Sequence, residues 1–244
     1  MEILPPQTTL PQTKTTRTHS PPTADYKTYR RCLRWDFSFT CAFCMLHEAD
    51  LMPLGVEGSG LTHVEHFEAQ SFGTAGSDAY TNCYYICRYC NIAKNAKPVL
   101  DPLGRRLLDP CSTPWASHFA WVGFELKPLD GDATWTWEAY DLDDERKVVF
   151  RRHRVEFISR RLEELMLTVP QSVKALSSMF ESVPAEKQLD IVQMLARLDV
   201  RRSAILSELR NYEVIPEDAP TACACGATLG TTPLYAAPVV VAAP

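Results

Sequence analysis

The chain has 244 residues, 45% of them hydrophobic and 23% charged, with a formal net charge of −5. Such a length carries one proper core, or a small module with an annex, and no apolar run approaches the ~20 residues of a membrane-spanning helix. The acidic balance argues against indiscriminate coating of nucleic acid, and the N-terminus lacks the basic start and apolar stretch of a secretory signal, so a soluble cytoplasmic protein is expected.

Residues 1–24 are rich in Pro, Thr and Gln and poor in large apolar side chains, so they bury too little surface to offset chain entropy and are expected to form a disordered arm. Residues 25–128 set short apolar stretches between Gly, Ser, Asp and Pro turns and hold two Cys-x-x-Cys pairs, which makes them the expected catalytic module. From His118 to Phe150 the pattern turns strand-like: Phe119 and Trp121 alternate, Trp135 and Trp137 share a strand face, and Val148 to Phe150 makes a third apolar run. A helical period follows, with Ile158, Leu162, Leu165 and Val169 on one stripe and Ile191, Met194, Leu195 and Leu198 on another. Residues 129–215 therefore read as strand and then helical annex, and 216–244 as a disordered Pro/Ala-rich tail. The expected class is α+β.

Nine cysteines is an odd count, and in an unexported chain the two Cys-x-x-Cys pairs favour metal thiolates over disulfides. Cys41-Ala-Phe-Cys44 and Cys87-Arg-Tyr-Cys90 each offer two thiolates at the bite of a tetrahedral ion, and zinc suits them because it is borderline-soft and redox-inert. The pairs are 42 residues apart, positions 45 to 86, so something is inserted between the knuckles. Cys32, Cys83 and Cys111 read as ordinary buried thiols, although Cys83 or His47 could compete as a ligand, and Cys223 and Cys225 read as unstructured thiols in the tail.

Sign is segregated along the chain. Met45 to Tyr80 carries six acids and no Lys or Arg, whereas Arg146 to Arg161 carries seven basic residues against one Glu. Such a layout suits a cation site beside a phosphate-binding surface. Arg88, Lys94, Lys97, Arg105 and Arg106 are candidate nucleic-acid contacts beside the knuckle, and the run Arg151, Arg152, Arg154, Arg160 and Arg161 lines a duplex or is a solvated helix face.

The insert holds His63-Val64-Glu65-His66-Phe67, then Asn82, then Cys90-Asn91-Ile92-Ala93-Lys94. In this order of acid-His, Asn and Cys-x-x-Cys-Asn-x-x-Lys the chain resembles the HNH endonuclease family, in the branch whose Cys-x-x-Cys knuckles bracket the catalytic hairpin. Asn91 stands where many members have His, and Ala69 where a Pro is common. The resemblance implies a zinc-stabilised ββα-metal core, after which the residue pattern gives a small antiparallel sheet and a helical annex. It implies His66 as the general base that takes a proton from the attacking water, and Glu65 and Asn91 as oxygen ligands of one Mg2+ or Mn2+. His63 is a third ligand, a phosphate contact or a residue behind the ligands. Asn82 is expected to brace the hairpin by hydrogen bonds, Lys94 to touch a backbone phosphate, and His118 to fix a loop.

In a regular strand Glu65 and His66 point to opposite faces, so a shared centre needs a break in the pleat at the hairpin end. The implied activity is hydrolysis of DNA phosphodiester bonds, with RNA left open as a substrate; a further reading is an effector subunit held inactive by a partner, such as an ATPase in bacterial genome defence. The competing reading is a non-catalytic zinc-knuckle module that binds nucleic acid or protein.

Overall fold

The computed structural model describes residues 10, 13–22, 25–51, 61–72, 78–213 and 225–226. Its class is α+β: helices with small antiparallel sheets. The described residues between 8 and 153, with Cys225 and Gly226, form one compact unit, and those from Arg154 to Glu213 form another.

In the first unit a single turn of 3-10 helix, Tyr26–Tyr29, leads into α1 (Arg30–Asp36), and α2 (Glu48–Leu51) follows the first knuckle. β1 (Thr62–His66) pairs with β2 (Cys83–Cys87) in antiparallel register, and β2 runs straight into α3 (Arg88–Lys94). β2, Cys-Tyr-Tyr-Ile-Cys, is buried at every position, which is why it reads as an unbroken apolar run rather than an alternation. Its two tyrosines keep their hydroxyls satisfied inside the core. Tyr84 Oη donates to Asp109 Oδ1 at 2.6 Å, while Tyr85 Oη donates to the Glu48 carboxylate and lies 2.8 Å from Thr62 Oγ1. Glu48 in turn takes both arms of Arg34 at 2.7 Å, so α1, α2 and β2 are joined by one buried polar network.

β3 (Phe119–Val122) and β4 (Glu125–Pro128) form the second hairpin, and the alternation of Phe119 and Trp121 is the strand it was expected to be. The second and third expected strand runs are helical instead. Trp135 and Trp137 lie on α4 (Gly131–Tyr140), and Val148 to Phe150 lie on α5 (Glu145–Glu163). The cause is local: Asp130 caps α4 by accepting from the Ala133 amide at 2.8 Å, and Ala133, Thr136 and Tyr140 are the buried face at helical spacing. A two-residue Trp spacing is compatible with either structure, and the Asp-Gly-Asp start decides it. Phe43 stacks on Tyr140 with ring centroids 3.8 Å apart and sits beside Tyr84 and Trp115, whose indole N–H donates to the Phe43 carbonyl. The first knuckle, β2 and α4 therefore share one aromatic core.

The expected disordered arm does not hold for residues 13–22. Arg17 donates to the Cys83 carbonyl at 2.8 Å and lies over the Tyr84 ring at 4.7 Å, and the Thr15 amide donates to the Pro110 carbonyl. Leu10 and His19 are buried. One Arg that caps a strand carbonyl and an aromatic face anchors a segment whose composition is polar. Of the expected tail, residues 216–224 and 227–244 lie outside the described residues, while Cys225 is described.

The second unit is helical. α5 passes through a π turn, Glu164–Thr168, into α6 (Val169–Phe180), and α7 (Ala185–Glu213) follows. Pro170 explains the π turn: without an N–H it cannot bond the carbonyl four residues back, so the ladder slips before it. Ile158, Leu162, Leu165 and Val169 share one small cluster with Ile205 and Leu209 of α7. Arg201 spans to Glu164 at 2.6 Å, and Arg161 pairs with Glu208.

Asp130→Ala should lower the stability of the chain by about 1 kcal/mol in urea denaturation, the usual value of a side-chain N-cap, and Asp130→Asn should restore most of it. Equal losses in both variants would show that the cap does not hold α4.

Candidate functional site

Four cysteines converge from the two knuckles. The sulfurs of Cys41, Cys44, Cys87 and Cys90 all lie within 4.8 Å of one another and are buried. Each knuckle is built locally: Met45 takes the left-handed conformation at φ 60° so that its amide reaches back to the Cys41 carbonyl, and Cys87 ends β2 and caps α3, its sulfur accepting from the Cys90 amide at 3.4 Å. The Cys44 and Cys87 sulfurs are 3.6 Å apart. A disulfide needs ~2.05 Å, whereas tetrahedral Zn–S bonds of ~2.3 Å place sulfurs ~3.8 Å apart. The spacing fits an ion at the centre and not a bond across it.

The proton balance of the group agrees. Burial raises the Cys41 thiol, but hydrogen bonds from Cys44, Cys87 and Cys90 outweigh it and hold Cys41 well below the ordinary thiol range. Hydrogen bonds with Cys41 and Cys44 push Cys87 up, and burial, with hydrogen bonds to Cys41, Cys44 and Cys87, pushes Cys90 up. A divalent cation at the centre would supply the positive charge that favours the thiolate form of Cys87 and Cys90. This buried group could hold a zinc ion.

Two buried cations stand beside it. Lys147 of α5 donates to the carbonyls of Tyr140 and Asp141 at 2.8 and 2.5 Å, closing the end of α4. Burial lowers its pKa, but the charges of Cys90, Cys44 and Cys87 raise it further, so it stays above the ordinary lysine value. Arg151 donates to the carbonyls of Phe124, Cys44 and Leu142. Arg151 is therefore no part of a duplex-facing surface, and Arg154 is buried too; of that run Arg152 and Arg160 are exposed, and Arg160 pairs with Glu156.

The hairpin carries the other candidates. The β1–β2 register is regular from Thr62↔Cys87 to His66↔Cys83, so the pleat is unbroken and Glu65 and His66 project from opposite faces of the ribbon. The single shared Glu65–His66 centre expected from the sequence is not formed in this conformation. His66 is buried, with Nε2 3.1 Å from Asp78 Oδ1 and its ring edge-on to Tyr26 at 4.5 Å. Asn82 makes two hydrogen bonds across the hairpin end: its Oδ1 accepts from the Glu68 amide at 2.9 Å and its Nδ2 donates to the Glu68 carbonyl at 3.0 Å. The Asn82 carbonyl also accepts from the Phe67 amide, so the turn after His66 is braced from the opposite strand.

On the other face Glu65 meets Lys94 of α3, with Oε1 3.6 Å from Nζ. Asn91 lies one turn earlier on the same helix face, and His63 two residues before Glu65 on the same strand face. Burial raises the Glu65 carboxyl to about 7 despite Lys94, and burial lowers Lys94 despite Glu65. The Glu65 carboxyl and Asn91 amide oxygens are hard donors that suit Mg2+ or Mn2+, and the His63 imidazole is a softer one, but Lys94 holds the position of positive charge. Among the described residues, His, Cys, Asp and Glu atoms converge in groups of three or more at the four cysteines and at His19, Cys32 and Cys225. Glu65 and His63 are not in such a group.

Of the expected phosphate contacts, Lys94 is fully buried against Glu65 and cannot meet a duplex from there. Lys97 donates to the Glu138 and Ala139 carbonyls, and Arg105 is held by Asp101 and Glu138, so both serve the fold. Arg88 and Arg106 are exposed. Sequence reasoning passed over Asp78 and Tyr26, the partners of His66; an acid twelve residues downstream gives no periodic signal. His118 does hold a loop, with Nδ1 2.6 Å from Asp130 Oδ2. No family model, curated protein or solved structure matches the chain, so the family resemblance rests on its residues alone.

Two variants separate the frame from the hairpin. Lys147→Met should weaken zinc binding about 10- to 100-fold in a competition titration with a chromogenic chelator, because it removes a cation behind the thiolates and no ligand. Unchanged affinity would deny Lys147 that part. For Glu65 the sign is opposite to a normal salt-bridged acid. Its folded pKa is raised, so its contribution is greatest below the ordinary carboxyl value and is lost as pH rises through about 7. Glu65→Gln does not titrate, so its stability relative to wild type should rise by about 2 kcal/mol between pH 5 and pH 8 in urea melts. A gap that does not change with pH would show that burial does not govern this carboxyl.

Proposed function

We propose that the chain is a metal-dependent endonuclease of the HNH type, hydrolysing phosphodiester bonds in DNA around a structural zinc on Cys41, Cys44, Cys87 and Cys90. The observation that carries this reading is the hairpin β1–β2 running without a linker into α3, which turns Glu65 of the strand toward the Asn91–Lys94 face of the helix. The Asn82 brace on Glu68 and the four-cysteine group at the strand-to-helix junction support it.

In this proposal Glu65 and Asn91, with His63 beside them, would hold a Mg2+ or Mn2+ ion whose charge stabilises the leaving oxygen. The chain's own part is proton handling and orientation. An ionised Asp78 can only accept, so the hydrogen between it and His66 sits on Nε2 and the basic lone pair on Nδ1. Asp78 thereby fixes the tautomer in which His66 can take the proton of the attacking water. Lys94 holds Glu65 in the gap between hairpin and helix, and burial pushes both groups toward neutrality, so a divalent ion held by Glu65 would require the carboxyl ionised and the Lys94 ammonium turned away from it. The His66-bearing end of β1 must turn to bring Nδ1 to the same phosphate, and the residues that follow, Phe67 to Gln70, are where the strand has already ended.

A non-catalytic zinc module is the second reading, favoured by the Lys94–Glu65 pair and by the opposed faces of Glu65 and His66. Supercoiled plasmid with Mg2+ or Mn2+ distinguishes the two. Nicking or linearisation that falls about 100-fold in His66→Ala, with zinc content and melting unchanged, is the expected result. Wild-type protein that binds DNA and leaves every DNA and RNA substrate intact supports the module, and cleavage that survives His66→Ala denies His66 the role of base.

A further inference from the structure

A second cluster of soft donors lies outside the four-cysteine group. His19 Nδ1, Cys32 Sγ and Cys225 Sγ all lie within 4.8 Å of one another, and His19 Nδ1 is 3.2 Å from Cys225 Sγ. His19 and Cys32 are buried, at 4% and 5% exposure, and Cys225 is half-buried. The three come from separate parts of the chain: the N-terminal segment, α1, and a position 206 residues beyond His19.

We propose that His19, Cys32 and Cys225 form a second zinc site, which clasps the segment carrying Cys225 to α1 and to the N-terminal segment. The approach of His19 is built rather than accidental. Asp36 lies one turn after Cys32 on the same face of α1, and its Oδ1 accepts from the Thr18 amide at 2.8 Å, the Thr18 hydroxyl at 3.0 Å and the His19 amide at 3.2 Å. Its other oxygen is held by Tyr80 Oη at 2.6 Å. Arg17, which immediately precedes this pair, is itself held by the Cys83 and Thr81 carbonyls. The backbone of His19 is thus pinned one helical turn from Cys32, with its ring turned to the cysteines.

Two thiolates and a neutral imidazole suit zinc, whose N and S bonds of ~2.0 and ~2.3 Å put ligand atoms between ~3 and ~4 Å apart. They also balance its charge: each thiol gives its proton to solvent on binding, and two thiolates cancel the two positive charges of the ion. That neutrality matters where burial penalises net charge, and it contrasts with the four-thiolate group, which carries two excess negative charges and has Lys147 and Arg151 beside it. Three protein donors leave the fourth position of the tetrahedron to water or another donor.

The test is metal analysis of the full chain purified in reducing buffer with zinc present. Wild type should hold about two zinc ions per chain, and its zinc X-ray absorption should show a nitrogen shell near ~2.0 Å beside the sulfur shell near ~2.3 Å. His19→Ala and Cys225→Ser should each hold about one, with an all-sulfur shell, and should release the second ion without unfolding the four-cysteine group. Cys225→Ser is the safer variant because that side chain is half-exposed. A single ion with only sulfur ligands in wild type overturns the proposal, as do two retained ions in both variants or a Cys32–Cys225 disulfide in mass spectra of the reduced-buffer protein. The count of ions is read without any cleavage assay, so it stands or falls apart from the nuclease reading.

Discussion

The convergence of four thiols from two knuckles organises the first unit. Without it, the long insert between Cys44 and Cys87 closes only through the packing of two short strands, and loop-closure entropy is charged against a hairpin of five residues a side. With a cation at the centre, the first knuckle, the end of β2 and the start of α3 become one rigid corner. The aromatic core then has a fixed wall to pack against: Phe43 lies between the knuckle cysteines and stacks on Tyr140, which brings α4 and, through Lys147, the start of α5 to the same corner. The electrostatics follow, since buried Lys147 and Arg151 are stable in an interior only beside a compensating negative group.

The hairpin face and the knuckle corner are coupled by α3. Cys90 and Lys94 sit one turn apart on a helix of seven residues, so the side chain that meets Glu65 is placed by the residue that meets the other cysteines. A short helix has little intrinsic stability, and its position derives from the strand that feeds it and from the four-cysteine group at its start. The placement of Glu65 against Lys94 therefore derives from the four-cysteine group one turn earlier on the same helix.

Much of this was legible in the residues. The Cys-x-x-Cys pairs stated their own bite, Phe119 and Trp121 alternated as a strand does, and Ile158, Leu162, Leu165 and Val169 marked a helical stripe that joins one cluster. What failed did so for identifiable reasons. Trp135 and Trp137 suit a strand face by spacing alone, and the capping residue Asp130 overrode that spacing. Lys94 and Lys97 looked like phosphate contacts because charge was read without burial; one is an inward ion pair and the other a helix-end cap. His19, Cys32 and Cys225 could not be grouped from sequence, because their separations follow no motif and only the Asp36 anchor brings the first two together. The regular pleat through His66 was foreseen as the condition against a shared centre, and it is the condition that holds.

Cys87 finishes β2, caps α3 with its sulfur and belongs to the four-cysteine group. These are three separate demands on one side chain, and they narrow what can replace it. Serine keeps a capping oxygen but offers no thiolate; histidine keeps a metal donor but is a poor cap; aspartate satisfies the helix and brings a harder, differently shaped ligand. None keeps strand burial as well, since position 87 is fully enclosed. Cys41, whose neighbours are a turn and a loop, answers to fewer constraints. The two knuckles should thus differ in substitutional tolerance although each supplies two of the four cysteines, with the second the more rigidly specified half of the pair.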